Sequence, residues 1–222
     1  MTSKARLFYP KELKSGLISK LSEKQSHYIK NVMRLKPGDK ISLFNSQSGE
    51  WDVTIVSYVE NFIEFRVENL SRPKEEENNL WLAFSPIKKI PQDMMLQKTT
   101  ELGIKKFVPL LCQRSIVREI NIERASKIVT EASEQSNRIS VPEISKIQSL
   151  QDFIKSFPKN GQIFFCDINS KLNKIETGKK LTYDDFSINI RNDYIKLRQN
   201  RSDLSKISRK NTETFKELEF YV

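Results

Sequence analysis

The chain has 222 residues, with 38 Lys and Arg against 28 Asp and Glu, a formal net charge of +10, one His and two Cys. That length is room for one large domain or two small ones, and 37% hydrophobic residues, with 13 Phe and 6 Tyr, suffice to bury a core, which excludes disorder along the whole length. No apolar run approaches the roughly 18 residues that span a bilayer, and the opening MTSKARLFYPKELK has no signal-peptide apolar core, so a cytoplasmic protein without a membrane partner is expected.

In chain order, ARLFYP reads as a short strand. Ser22-Glu23-Lys24-Gln25 is a capping box that opens a helix running to about Arg34. The turn Pro37-Gly38-Asp39 leads into the strand KISLFN. WDVTIVSYV and FIEFRVENL follow, joined by Glu60-Asn61, and their alternation predicts a half-buried antiparallel hairpin. Trp51, Val53, Ile55 and Val59 share one face of the first strand, and Ile63, Phe65 and Val67 one face of the second. Residues 1–70 are thus expected to form a small, mostly β domain.

SRPKEEENN, residues 71–79, has the composition of a linker. Beyond it, LWLAFSP and FVPLLC read as strands buried on both faces, with a helix from Pro91 to Leu102 between them, stopped by Gly103. Asn121 caps a long helix in which Ile122, Ala125, Val129, Ala132 and Ser136 recur at helical spacing, ending near Arg138. A shorter helix over residues 149–157 and a third strand, QIFFCD, complete a β-α-β-α-α-β order, that of a parallel α/β domain.

The first 74 residues carry 13 basic and 8 acidic side chains, and half of the net charge lies there. Lys30, Arg34, Lys36 and Lys40 surround the predicted helix end, and Arg6 lies in the first strand. A phosphate-facing surface is expected, with a solvated charged face as the alternative. Cys112 and Cys166 make no metal-ligand spacing and each follows an apolar run, so reduced, buried thiols and no metal are expected.

Local motifs identify no reaction: the chain has no phosphate loop, GxGxxG, GxSxG or HExxH. Five patches in register nevertheless carry a resemblance: ARLFY at the start, SHYIKNVMRLKPGD at 26–39, PIKK at 86–89, LQKTTELGIKKFVPLLCQRS at 96–115 and EASEQSNRISVPEI at 131–144. Over roughly the first 168 residues the chain resembles the small-subunit ribosomal RNA methyltransferase E family of the SPOUT superfamily. The resemblance implies an N-terminal PUA-like β-barrel followed by a SPOUT (α/β knot) parallel-sheet domain. It also implies methyl transfer from S-adenosylmethionine to the N3 of a uridine in the 16S RNA of the small ribosomal subunit (30S particle), by a homodimer.

That reaction needs a ring nitrogen to lose its proton while facing a sulfonium carbon, and a cation near the uracil carbonyls would stabilise the developing charge. Arg114 and Arg138 are the catalytic candidates, with Arg6 considered for the same role or for phosphate contact. A structural ion pair or carbonyl contact is the alternative for each, and for Arg138 that pair would be with Glu134 on one helix. Arg114 follows an apolar strand, where an open α/β sheet places its ligand crevice. Arg6, His27, Lys30, Arg34 and Lys36 are the RNA-binding candidates. Glu101 is expected to pair with Lys98 or Lys105, with general-base work as the alternative; for Glu131, Glu134 and Gln135 a dimer contact or a polar site wall stands beside catalysis; Phe8 could stack on a base, and Trp51 is expected in the core.

After QIFFCDIN the sequence departs from the family, which builds its cofactor site from a GPEGG loop and an LG-x-RILR-x-ETA stretch. Neither is present, and the last 44 residues contain no Gly. The SPOUT domain is therefore expected to be incomplete, with 80–168 as its first part and 169–222 a divergent tail left by a frameshift, replacement or insertion. No cofactor-binding residue is assigned. The alternative to an enzyme is a non-catalytic RNA-binding remnant of the family.

Overall fold

The computed structural model describes residues 4–113, 115–158, 161 and 163. They divide into two compact units, one of residues 4–82, 89–107 and 121–145, the other of residues 83–88, 108–120 and the described residues from 146 onward. Apart from Ile163, the predicted strand QIFFCD lies outside the described residues, as do Cys166 and the tail from 169. Among the described residues, no helix is long and apolar enough to cross a membrane.

The first unit opens with a five-stranded sheet of β1 (Arg6–Phe8), β2 (Ile18–Lys20), β3 (Lys40–Asn45), β4 (Gly49–Val59) and β5 (Phe62–Arg72), in the order β1-β3-β4-β5-β2. β1 runs parallel to β3; the other pairings are antiparallel. A hydroxyl–hydroxyl bond of 2.8 Å between Tyr9, just after β1, and Ser19 of β2 links the two edges of this sheet, so it curls on itself. Leu7, Ile41, Leu43, Val53, Phe65 and Ile29 fill the hollow. β3 is buried beyond Lys40, as an interior strand requires.

The hairpin forms with the turn Glu60-Asn61, but its facing differs from strict alternation. A register shift between Ile55 and Ser57 pairs Tyr58 with Ile63, so Tyr58 packs on the core where Val59 was expected. One extra residue in one strand moves every later side chain to the other face.

The capping box closes as predicted, the Ser22 hydroxyl accepting from the Gln25 amide and opening α1 (Glu23–His27). The expected helix to Arg34 is not uniform: from Tyr28 to Val32 the chain widens into a π-helical turn, with Met33 N–H donating to the Tyr28 carbonyl. Arg34 then takes φ 55°, which ends the helix before Pro37.

β5 continues through Arg72, and residues 73–80 carry no regular structure. Next come β6 (Trp81–Phe84), α2 (Lys89–Glu101), β7 (Lys106–Leu111) and α3 (Ile122–Gln135), then β8 (Glu143–Ile144), β9 (Gln148–Ser149) and α4 (Leu150–Ser156). The sheet order is β6-β7-β8. Lys106 and Phe107 pair in parallel with β8, and Leu110 and Leu111 in parallel with β9. In β6 Phe84 is fully buried but the three residues before it are half-buried, so this strand is less enclosed than its apolar run implied. α3 buries Ala125, Val129, Ala132 and Ser133 and packs on α2.

α3 stops at Gln135, short of the expected Arg138. Asn137 at φ 62° and the Arg138 N–H bonded to the Ser133 carbonyl close the helix with a left-handed cap. Arg138 therefore leaves the face that carries Glu134, and its ion pair is with Glu77.

Candidate functional site

Three places in the described residues gather polar or charged side chains. The first is the end of α1 and the turn that follows it. His27, Lys30, Arg34 and Lys36 are exposed there, together with Tyr28 (39% exposed) and Val32 (60%). The π-helical turn and the positive φ of Arg34 set these cations on a bulge rather than along one helical stripe. The Lys30 ammonium lies 5.1 Å from the Tyr58 ring centre, and the Tyr58 hydroxyl donates to the Leu35 carbonyl. Asp39 is the acid of this region: it takes the Lys4 ammonium at 2.6 Å and the Lys36 amide at 2.7 Å. These contacts hold its carboxyl below the usual aspartate value, the Lys4 bond most of all.

The second place is the C-terminal end of α3, which carries a nearly closed set of buried bonds. Arg6 reaches it from β1, with Nη1 donating to the Ser133 carbonyl at 3.0 Å and the Glu134 carbonyl at 3.2 Å, and Nη2 to the Arg138 carbonyl. The same guanidinium stacks 3.7 Å from the Phe44 ring centre and pairs with Glu50 at 3.1 Å. Its side chain is 15% exposed and that of Glu50 is 8%. Arg72 also meets Glu50, at 3.5 Å, and donates to the Asn137 carbonyl at 2.9 Å. Phe8 N–H donates to Glu134 Oε1 at 2.9 Å. Burial pushes the Glu134 carboxyl above the usual glutamate range; the Phe8 amide and Arg6 oppose that, and Glu131 adds to it. Arg138, 8% exposed, donates to the Thr100 and Ile104 carbonyls at 2.8 Å each, to Glu77 at 3.0 Å and to Ser140 at 3.1 Å.

Beside it, α2 and α3 border a shallow cleft of about 290 Å³ lined by Asp93, Gln97, Arg124, Ile128, Glu131 and Gln135 among others. Asp93 takes Arg124 in a two-pronged pair, which lowers its pKa. Glu131 and Gln135 thus share a polar wall, as their spacing suggested, whereas Glu134 turns toward β1.

In the second unit, Ser85 follows β6 and Cys112 follows β7, and the Ser85 and Ser115 hydroxyls meet at 2.7 Å. Ser115 Oγ also accepts from the Cys112 amide at 2.9 Å, and Ser115 N–H returns a bond to the Cys112 carbonyl. The C-terminal ends of β6 and β7 therefore open on one edge, where open α/β sheets bind ligands. Burial pushes the Cys112 thiol up, with the Ser85 hydroxyl opposing.

The predicted residues are thus divided. Lys30, Arg34, Lys36 and His27 are brought together on one surface. Arg6 and Arg138 face inward, on carbonyls and carboxylates. Arg114 lies outside the described residues. Glu101 pairs with Lys98 at 2.9 Å. Trp51 packs on the core and donates to the Ser48 carbonyl, and half-buried Phe8 meets the Phe44 ring edge-on. Ser85, Ser115, Glu50 and Glu77 were not singled out in the sequence; the polar residue directly after an apolar strand was the available signal for Ser85. Among the described residues no group of three or more His, Cys, Asp and Glu could hold a metal ion.

Residues 74–189 match a family model described as an RNA methyltransferase domain, and residues 21–68 one described as an RNA methyltransferase PUA domain. The first match runs past residue 168, where the resemblance of the individual patches fades. The chain is 36% identical over 134 residues to the ribosomal RNA small subunit methyltransferase E of Rickettsia conorii, covering 60% of this chain and 55% of that protein. It is 30% identical over 146 residues to the Bacillus subtilis protein of the same name, covering 61% and 56%. The chain spans about half the length of these curated relatives. Among solved structures, the methyltransferase E of Neisseria gonorrhoeae bound to S-adenosyl methionine superposes with a TM-score of 0.70 at 24% identity, over 79% of this chain and 74% of that one. A Legionella pneumophila methyltransferase with SAM bound gives 0.67 at 23%, over 77% and 73%. At such identities the shared property is the fold, a PUA domain followed by an α/β domain with a parallel sheet.

Proposed function

The chain belongs to the RNA methyltransferase family, and from that membership we propose that it methylates the N3 of a uridine in the RNA of the small ribosomal subunit, with S-adenosylmethionine as methyl donor. The observation that carries this reading is the continuous match of residues 74–189 to the methyltransferase domain, behind a PUA domain with a basic, aromatic-bearing face. The reading includes a homodimer acting in the cytoplasm, where ribosomal subunits are made, and a division of the chain at 71–79.

The chemistry assigns tasks to the chain's own residues. Phosphates of a folded RNA would be taken by Lys30, Arg34, Lys36 and His27, and a splayed base by exposed Tyr28. S-adenosylmethionine supplies an electrophilic methyl carbon when bound. The polar groups at the ends of β6 and β7 fit one side of such a site: the Ser85 and Ser115 hydroxyls and the backbone of 112–113 suit the ribose and amino-acid parts of the donor. Arg114, next to them in sequence, is assigned to the uracil carbonyl that gains charge as N3 loses its proton. Arg138, with its guanidinium committed to four partners, acts by holding structure in place.

Calorimetric titration of the full chain with S-adenosylmethionine tests this. Saturable binding is expected. A folded chain that binds small-subunit RNA but not the cofactor would instead be an RNA-binding remnant.

A further inference from the structure

We infer that the segment 134–138 is a joint that fixes the curled sheet on α3, with Arg6 and Arg138 as positioning residues for RNA methylation; the catalytic consequence rests on the proposed function, the joint itself on geometry alone.

The last carbonyls of a helix have no partner within it. In α3 two of them, on Ser133 and Glu134, are taken by the guanidinium of Arg6, a residue 127 and 128 positions earlier, and the Arg138 carbonyl beyond the cap is taken as well. The relation is reciprocal, because Glu134 returns a carboxylate oxygen to the Phe8 amide on the same strand. β1 is an edge strand, with free amides on its outer side, and α3 thereby covers one of them. The end of β5 reaches the same few residues through Arg72 and Asn137, and the connection after it through Glu77 and Arg138. Arg138 extends the tie to the end of α2 through the Thr100 and Ile104 carbonyls.

Each arginine in the set has a carboxylate partner: Arg6 and Arg72 share Glu50, and Arg138 has Glu77. The assembly leaves three buried side-chain atoms without a partner, Arg6 Nε, Thr100 Oγ1 and Ser136 Oγ. A guanidinium turned inward in this way is a poor phosphate ligand but a rigid strut, because its planar fork holds several acceptors at fixed angles. RNA gripped by Lys30, Arg34 and Lys36 is gripped by the same sheet that the joint locks to α3. A flexible attachment would leave the sheet that grips the RNA at a variable angle to α3.

The test uses the full chain with Arg6→Met and Arg6→Lys, the latter keeping the charge for Glu50 but lacking the fork for the carbonyls. Both are expected to lower kcat/KM on small-subunit particles about 100-fold, the effect of roughly 1 Å of misplacement, while S-adenosylmethionine affinity is unchanged. Amide exchange at residues 133–138 should rise about tenfold or more as the cap opens. Wild-type turnover and unchanged exchange in the two variants would overturn the inference, as would rescue by lysine. If the wild-type chain itself transfers no methyl group, the enzyme reading falls, and the exchange measurement still decides for or against the joint.

Discussion

The amide of Phe8 donates to a carboxylate oxygen of Glu134, 126 residues later, at 2.9 Å. This bond joins the first strand of the PUA domain to the last turn of α3, and it depends on a carboxyl that burial pushes above its ordinary value of 4.5. Such a group holds more protons in the folded chain than in the unfolded one between the two pKa values. Its contribution to stability is therefore fully present below 4.5 and is lost as pH rises through the folded value. Glu134→Gln keeps an acceptor for Phe8 and removes the titration. The variant should gain stability relative to wild type as pH rises above about 4.5. Melting temperatures of both proteins across that range check it, and a difference independent of pH would contradict it.

Arg138 is a different case, since its removal strands the Thr100 and Ile104 carbonyls and the Glu77 carboxylate together. Breaking a buried, paired charge of this kind costs about 3–5 kcal/mol. Urea denaturation of Arg138→Ala should show a loss of that order, with the midpoint lowered. A loss under about 1 kcal/mol, the value for exposed pairs, would mean that the side chain is solvated.

On the basic face, Arg34→Ala combined with Lys36→Ala should weaken binding to small-subunit RNA and flatten its salt dependence, each lost phosphate contact removing about 0.7–0.9 from the slope of log K against log salt. Fluorescence anisotropy at several salt concentrations measures this. An unchanged slope would move the RNA surface elsewhere.

Gly49 begins β4 at φ 82°, and a Cβ there would run into the Arg72 carbonyl oxygen and come within 3.0 Å of the Lys74 amide. Both obstacles are backbone, so they do not yield easily. Gly49→Ala should destabilise by about 1–3 kcal/mol from the strained φ alone, whereas Gly38→Ala, with open space around it, meets only the φ penalty. Thermal melts of the two variants give the comparison, and a Gly49 variant no less stable than the Gly38 variant would refute the contact.

Local chemistry was legible in the sequence; long-range pairing was not. The Ser22–Gln25 capping box, the Asn121 cap and the Glu60-Asn61 turn each involve residues within four positions, and all three formed. Hydrophobic alternation located β4 and β5 but could not show the bulge after Ile55, which adds one residue without altering composition. β8 and β9 are two residues long, too short for any period to register. Arg6 and Arg138 stood out as candidates because arginine suits both phosphate and buried carboxylate. Only the fold distinguishes the two uses, and here both side chains meet main-chain carbonyls and Glu50 or Glu77. The basic turn at 30–36 was readable because its charges lie close together in sequence.

The most direct measurement is transfer of a labelled methyl group from S-adenosylmethionine to small-subunit particles that lack the modification, followed by mass spectrometry of the digested RNA. The proposed function predicts one methyl group per particle, on uridine N3, in a reaction abolished by Arg114→Ala. No incorporation by a folded chain that binds the particles, or a methyl group on another base or atom, would contradict it.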